Sequence, residues 1–219
     1  MCVEFNLLND RIRDQTIGRA TAQRQLAALL PRLDAYYAAR GGAALAAHAD
    51  VFPLAGYSAA AIGGRKGNGY QPAGYDYFAG NRHSGHPAHD IFIYDNNQDS
   101  RDDRTRQPVA VRALTGGVVV ALSTSWNAGS PLRGGHSVGV YAPAERSLFY
   151  YAHNATVRVA LGELVRPGDI LATVGRTGRN ASPPRSPTHL HLMQLSFDAR
   201  ERPRATDCYG RLCRARSFP

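Results

Sequence analysis

Pro187-Thr188-His189-Leu190-His191-Leu192 opens a β-favouring run that continues to Phe197. In a strand, side chains two residues apart leave the same face, with Cα atoms about 6.5–7 Å apart. His189 and His191 therefore project in parallel into one space, while Leu190 and Leu192 pack the other side. Alone, such a pair is the ordinary product of a half-exposed strand. Two imidazoles facing one cleft can equally share a metal, or one can bind it while the other addresses a substrate.

The same texture extends upstream. Short β-favouring runs at 91–94, 117–122, 137–141, 148–152 and 170–174 alternate with Gly, Pro and Asn punctuation. Arg166-Pro167-Gly168-Asp169 is a turn before one of them. Six or more short strands with tight connections predict a mainly β fold built on an antiparallel sheet. The Gly- and Tyr-rich loop 63–80 is long enough to wall a cleft.

Residues 9–40 read differently. Ile12, Ile17, Ala20, Leu26, Leu29, Leu30, Leu33 and Tyr37 recur at three- and four-residue spacings. Asn9 or Asp10 is a candidate cap, Pro31 a candidate break, and Gly41-Gly42 a candidate end. The chain of 219 residues thus divides into an N-terminal helical segment (1–45), a β domain (46–200) and a basic, cysteine-containing tail (201–219).

Composition narrows the function classes. The chain is 43% hydrophobic, enough for a core, and no apolar run approaches the roughly 18 residues that span a bilayer. Its net charge is +9, nearly all of it arginine, since Lys66 is the only lysine. No recognition helix, finger spacing or aromatic-flanked basic motif accompanies that charge, so an anionic cell-envelope surface is preferred to nucleic acid as its counterpart. Three cysteines exclude a four-thiolate zinc ribbon. Cys208 and Cys213 read equally as a local disulfide or as two free thiols. Were Met1 an artificial start, Cys2 would be the lipidated first residue of a mature bacterial lipoprotein, giving a membrane anchor.

The eight histidines carry the chemistry. Besides His189 and His191, His86 and Asp90 form an H-x-x-x-D cluster entering a strand, and Tyr150-Tyr151-Ala152-His153 ends another. Imidazole and carboxylate both suit zinc, and three protein ligands with an open fourth position mark a catalytic rather than a structural ion. His89 should point to the opposite strand face from Asp90, into the core. His48, His83 and His136 read as scaffold or surface, the last two with the option of lining a groove. Asp95-Asn96-Asn97-Gln98-Asp99-Ser100-Arg101-Asp102-Asp103 spaces oxygens like a calcium loop, but Ser100 and Arg106 replace the key Gly and Glu. An acidic turn, or an Asp–Arg knot using Arg101 and Arg104, is preferred there.

In order, H-x-x-x-D, Tyr-Ala-His, the turn Val174-Gly175-Arg176-Thr177-Gly178 and H-x-H resemble the lysostaphin/LytM-type zinc metalloendopeptidases over residues 52–197. The resemblance implies a LytM-like, open-groove antiparallel β domain holding one zinc ion. By position it makes His86, Asp90 and His191 the zinc ligands, and His153 and His189 the paired catalytic histidines. It implies hydrolysis of peptide cross-links in bacterial cell-wall peptidoglycan through a metal-activated water, by an exported protein, periplasmic, envelope-bound or secreted. One of His153 and His189 would act as base, the other would stabilise the oxyanion. Ala88, His136 and Asn154 depart from the family's usual residues without removing a ligand. The alternative is a non-catalytic peptidoglycan-binding or regulatory module on the same fold, which the retention of all five residues disfavours.

Overall fold

The structure, a computed structural model, describes residues 1–42 and 49–218; His48 and the 45/46 boundary fall outside them. Two helices open the chain, α1 (Cys2–Arg13) and α2 (Arg19–Ala39). The helical segment therefore starts earlier than expected, with Asn9 and Asp10 inside α1 rather than capping it. The break falls at residues 14–18, where Gln15 takes a φ of 58°, and not at Pro31. Pro31 sits within α2 on its exposed side, where the lost N–H faces water. Leu29, Leu30 and Leu33 around it are buried and hold the helix against the sheet.

The rest is mainly antiparallel β. The strands are β1 (His89–Phe92), β2 (Ala110–Arg112), β3 (Gly117–Ser123), β4 (His136–Ala142) and β5 (Ser147–Val157). There follow β6 (Leu164–Val165), β7 (Ile170–Val174), β8 (His189–Phe197) and β9 (Pro203–Thr206), then α3 (Tyr209–Arg214). The main order is β1-β8-β5-β4-β3-β6; β9 adds to β8, and β7 joins β5 to β2. All six runs read from the sequence are strands. The short β2, β6 and β9 lack any comparable apolar signal.

The long strand β5 organises the molecule. Its first half pairs with β4 and β8, and its last residues pair with β7. Between the halves stands His153, at φ 68°, a left-handed conformation that a strand does not otherwise contain. Two apolar clusters flank the sheet. One packs Phe149, Tyr151, Leu190 and Leu192 with Val111 and Leu171. The other joins Phe5, Leu26, Leu30 and Leu33 of the helices to Tyr141, Leu148, Leu195 and Phe197.

The C-terminal segment, described to residue 218, carries β9 and α3 and packs on the β domain. Besides β9, α3 places Arg211 against both Asp50 and Glu145. Cys2, Cys208 and Cys213 are all free thiols, the first two buried, so the disulfide option is not taken up.

Candidate metal and catalytic site

Strand register brings the first two clusters together. Asp90 lies directly opposite His191 in the β1–β8 ladder, and Phe92 opposite His189. On the other side of β8, Ala152 of β5 faces His191. Regular alternation would then turn His153 away from the site. Its left-handed backbone brings it back, so its ring centre lies 4.9 Å from that of His189 and 5.6 Å from that of His191. His86 precedes β1 in a turn paired with Gln71 and reaches the same place, 4.9 Å from His191 ring to ring.

Each imidazole is oriented by a specific acceptor. His86 Nδ1–H donates to the Gly69 carbonyl at 2.9 Å, leaving Nε2 3.2 Å from Asp90 Oδ1. His191 presents Nδ1 to the same oxygen at 3.0 Å. His153 Nδ1–H donates to Thr177 O at 2.9 Å, and His189 Nδ1–H to Pro187 O at 2.7 Å. A carbonyl only accepts, so both of these rings keep Nε2 unprotonated and turned toward the site when neutral. His189 Nε2 is 3.7 Å from Asp90 Oδ1.

Among the described residues, His86, Asp90 and His191 form the single group able to hold a metal, one donor atom from each lying within 4.8 Å of the others. Two imidazole nitrogens and a carboxylate oxygen are a donor set that zinc accepts. Tetrahedral bonds of about 2.0–2.1 Å separate ligand atoms by roughly 3.3–3.4 Å. The observed 3.2 and 3.0 Å are close to that edge, so the residues fit the ion.

The electrostatics are those of an anion among imidazoles. Burial works against a charged Asp90, but His191 and His86 outweigh it and hold the carboxyl well below the usual range. Burial lowers the proton affinity of His191, and burial, with the neighbouring histidines, lowers His153 to about 3. His86 is raised by its contact with Asp90.

The surrounding cleft, about 310 Å³, is walled by the end of the Tyr-rich loop (Tyr75, Tyr77, Gly80) and by Asp10, Ile12 and Arg13 of α1. No sequence signal placed those α1 residues at the cleft; only tertiary packing brings them there. His83 lines the cleft, and His136 instead faces the Ala155 carbonyl at 3.2 Å. His89 is buried on the far face, its Nε2 2.8 Å from Asp207. Tyr150 lines the cleft, whereas Tyr151 is core and its hydroxyl accepts from Leu114 N. Asn154 is fully buried, donating to the carbonyls of His136 and Tyr151.

The loop 95–103 uses its carboxylates internally. Asp95 accepts from the N–H groups of Asp99 and Ser100 and from Thr188, while Asp102 accepts from Arg104. This is an acidic turn with an Asp–Arg knot, except that Arg101 goes to the Arg106 carbonyl rather than to an aspartate.

Comparison with known proteins agrees with the sequence. The model of peptidase family M23 matches residues 101–201, a segment holding His153, His189 and His191 but not His86 and Asp90. The chain resembles peptidase family M23. Similar solved structures include a LytM protein from Ruminococcus gnavus (26% identity, 60% of this chain and 48% of that one, TM-score 0.45). Another is the antimicrobial peptidase lysostaphin from Staphylococcus simulans (20%, 69% and 48%, TM-score 0.44). A third is a zinc-containing peptidase from Vibrio cholerae (20%, 78% and 41%, TM-score 0.46). The chain spans about half the length, or less, of these three structures. No curated protein matches it.

Proposed function

We propose that the chain is a zinc-dependent endopeptidase hydrolysing peptide cross-links of bacterial cell-wall peptidoglycan. The observation that carries the reading is the convergence of five side chains, His86, Asp90, His191, His153 and His189, on one cleft of an M23-like sheet. His86, Asp90 and His191 would hold the ion. When bound, zinc would supply Lewis acidity, polarising a peptide carbonyl and making water nucleophilic near neutral pH.

The other two histidines would handle protons. Both point Nε2 into the cleft, with Nδ1 engaged by a carbonyl, so each can accept a proton there and return it to a leaving amine. Protonated, either ring becomes an N–H donor toward a developing oxyanion. The strand face behind them is packed and dry, which strengthens such contacts. An exported location, periplasmic, envelope-bound or secreted, follows from such a substrate; no described helix is long and apolar enough to cross a membrane.

The test combines metal analysis with product mapping on purified peptidoglycan. Bound zinc with new peptide termini is the expected result. His191→Ala should lose both metal and cleavage, whereas His189→Ala should keep the metal and lose about 100-fold or more in turnover. A metal-free, inactive parent chain, or near-normal hydrolysis by His189→Ala, would overturn the assignment.

A further inference from the structure

The cleft has one stopped end. On β5, Leu148, Tyr150 and Ala152 share a face: Ala152 lies opposite His191, Tyr150 opposite Met193, and Leu148 packs beneath the N-terminal helices. On β8 the same face runs from His191 through Met193 to the helix-covered Leu195 and Phe197. A peptide laid along this face from His191 passes Met193 and meets the helix-covered Leu195 four residues on, roughly 13 Å away. Tyr150 stands in that interval, its ring centre 6.3 Å from that of His191.

One cation without a carboxylate partner among the described residues faces this cleft. Two arginines line the cleft, Arg13 and Arg133. Arg13 is spent on Asp10 and Asp14. Arg133 is half-buried, and its single hydrogen bond among the described residues runs from Nη1 to the His83 carbonyl at 3.0 Å. No described carboxylate pairs with it. Its neighbour Gly134 accepts from His153 N at 2.9 Å, and a Cβ at Gly134 would collide with the Tyr150 hydroxyl. Arg133 therefore spans from the loop beside His153 to the loop that leads into His86. A guanidinium offers five N–H donors in a fork that fits a carboxylate at two points, and a single carbonyl engages only one of them.

We propose that Arg133 forms a carboxylate subsite toward the stopped end of the cleft, selecting peptides that carry a free carboxylate within about four residues of the bond to be cut. The inference rests on the peptidase reading above. Two sources offer the same chemistry, a C-terminal α-carboxylate and an acidic side chain.

Three synthetic peptides sharing one cleavable bond distinguish them: a free C-terminus, a C-terminal amide, and an amide with an acidic side chain two residues from the bond. Binding is measured by calorimetry on the zinc-loaded His189→Ala chain, and KM and kcat on the zinc-loaded parent. At least one carboxylate peptide should bind about 10-fold tighter than the neutral amide, a preference expressed in KM rather than kcat. Arg133→Gln should abolish that preference and Arg133→Lys should retain part of it. The exposed Arg179→Gln, a control of equal charge change, should leave it intact. The carboxylate peptide showing the gain identifies the source. Equal binding of all three by the parent chain, or an undiminished preference in Arg133→Gln, overturns the subsite. Carboxylate-selective binding without turnover of any peptide supports the subsite and overturns the hydrolase reading instead.

Discussion

Thr177 holds His153 by two routes: its carbonyl oxygen accepts from the imidazole Nδ1 at 2.9 Å, and its hydroxyl donates to the carbonyl of Asn154, the next residue, at 2.7 Å. The same hydroxyl accepts from His136 N at 2.8 Å, tying β4 to β5 where the sheet turns. Thr177→Val keeps the shape and removes both hydroxyl bonds. Expected is a stability loss of about 1–3 kcal/mol in chemical denaturation. On the proposed assignment, in which His153 handles protons and does not hold the metal, metal content should be unchanged and kcat should fall more than KM rises.

The left-handed backbone of His153 makes a second, separable prediction. Asn tolerates this conformation and Val does not. His153→Asn should fold with nearly parental stability and lose activity, whereas His153→Val should also lose about 1–3 kcal/mol. Equal denaturation midpoints for the two variants would contradict the account.

The helices hold the cleft wall through Gly80, whose φ is 53° and ψ −133°. A Cβ there would strike the Ile12 and Arg13 carbonyl oxygens at the end of α1. Tyr77 donates to Asn9 at 3.1 Å beside it, and Gln15 to Phe78 O, also at 3.1 Å. Gly80→Ala should therefore cost about 1–3 kcal/mol, and hydrogen exchange should show faster opening confined to α1 and residues 75–82.

Acid stability should depend on Asp102. The Arg104 guanidinium, 2.6 Å away, holds this buried carboxyl well below the usual range, and the Tyr57 hydroxyl donates to it at 2.6 Å. A depressed folded-state value means the stabilisation is complete above the unfolded pKa of about 3.9 and drains away as pH falls below it. Melting temperature should drop steeply from about pH 4 downward, and Asp102→Asn should flatten that limb while lowering stability at pH 7.

Ligand loading offers a check independent of turnover. A metal that binds only the folded chain stabilises it by about 2.7 kcal/mol at a hundredfold excess over Kd. Scanning calorimetry should show a rise in melting temperature with zinc that a chelator reverses. His86→Ala should remove the increment, while His153→Asn should keep it.

The sequence made the sheet legible because its strands are apolar runs bounded by turn residues, as at 117–122 and 170–174. It also exposed His189 with His191, since a period of two puts both on one face without any knowledge of partners. His153 was legible only through the motif around it; strand alternation alone sends it to the wrong side, and nothing local announces a left-handed residue. Pro31 misled because its rule concerns a lost hydrogen bond, and whether that loss matters depends on which helix face meets water. Nothing local placed Arg133 or the α1 residues at the cleft. Packing between segments 50 or more residues apart brings them there, Arg133 against His83 and Gly80 against the end of α1, which no local pattern encodes.

Among the described residues β1 has one ladder partner in the sheet, β8, which is made about 100 residues later. Until then a growing chain carries Asp90 on an orphan strand and His86 in the turn before it, with the gap beside β5 unfilled. Closing that gap joins regions about 100 residues apart in one event, so folding should be slow and the nascent form prone to pair with strands of other chains. The same order of assembly withholds His191, the third side chain of the proposed metal set, until β8 has docked, so a partly made molecule lacks a complete candidate site.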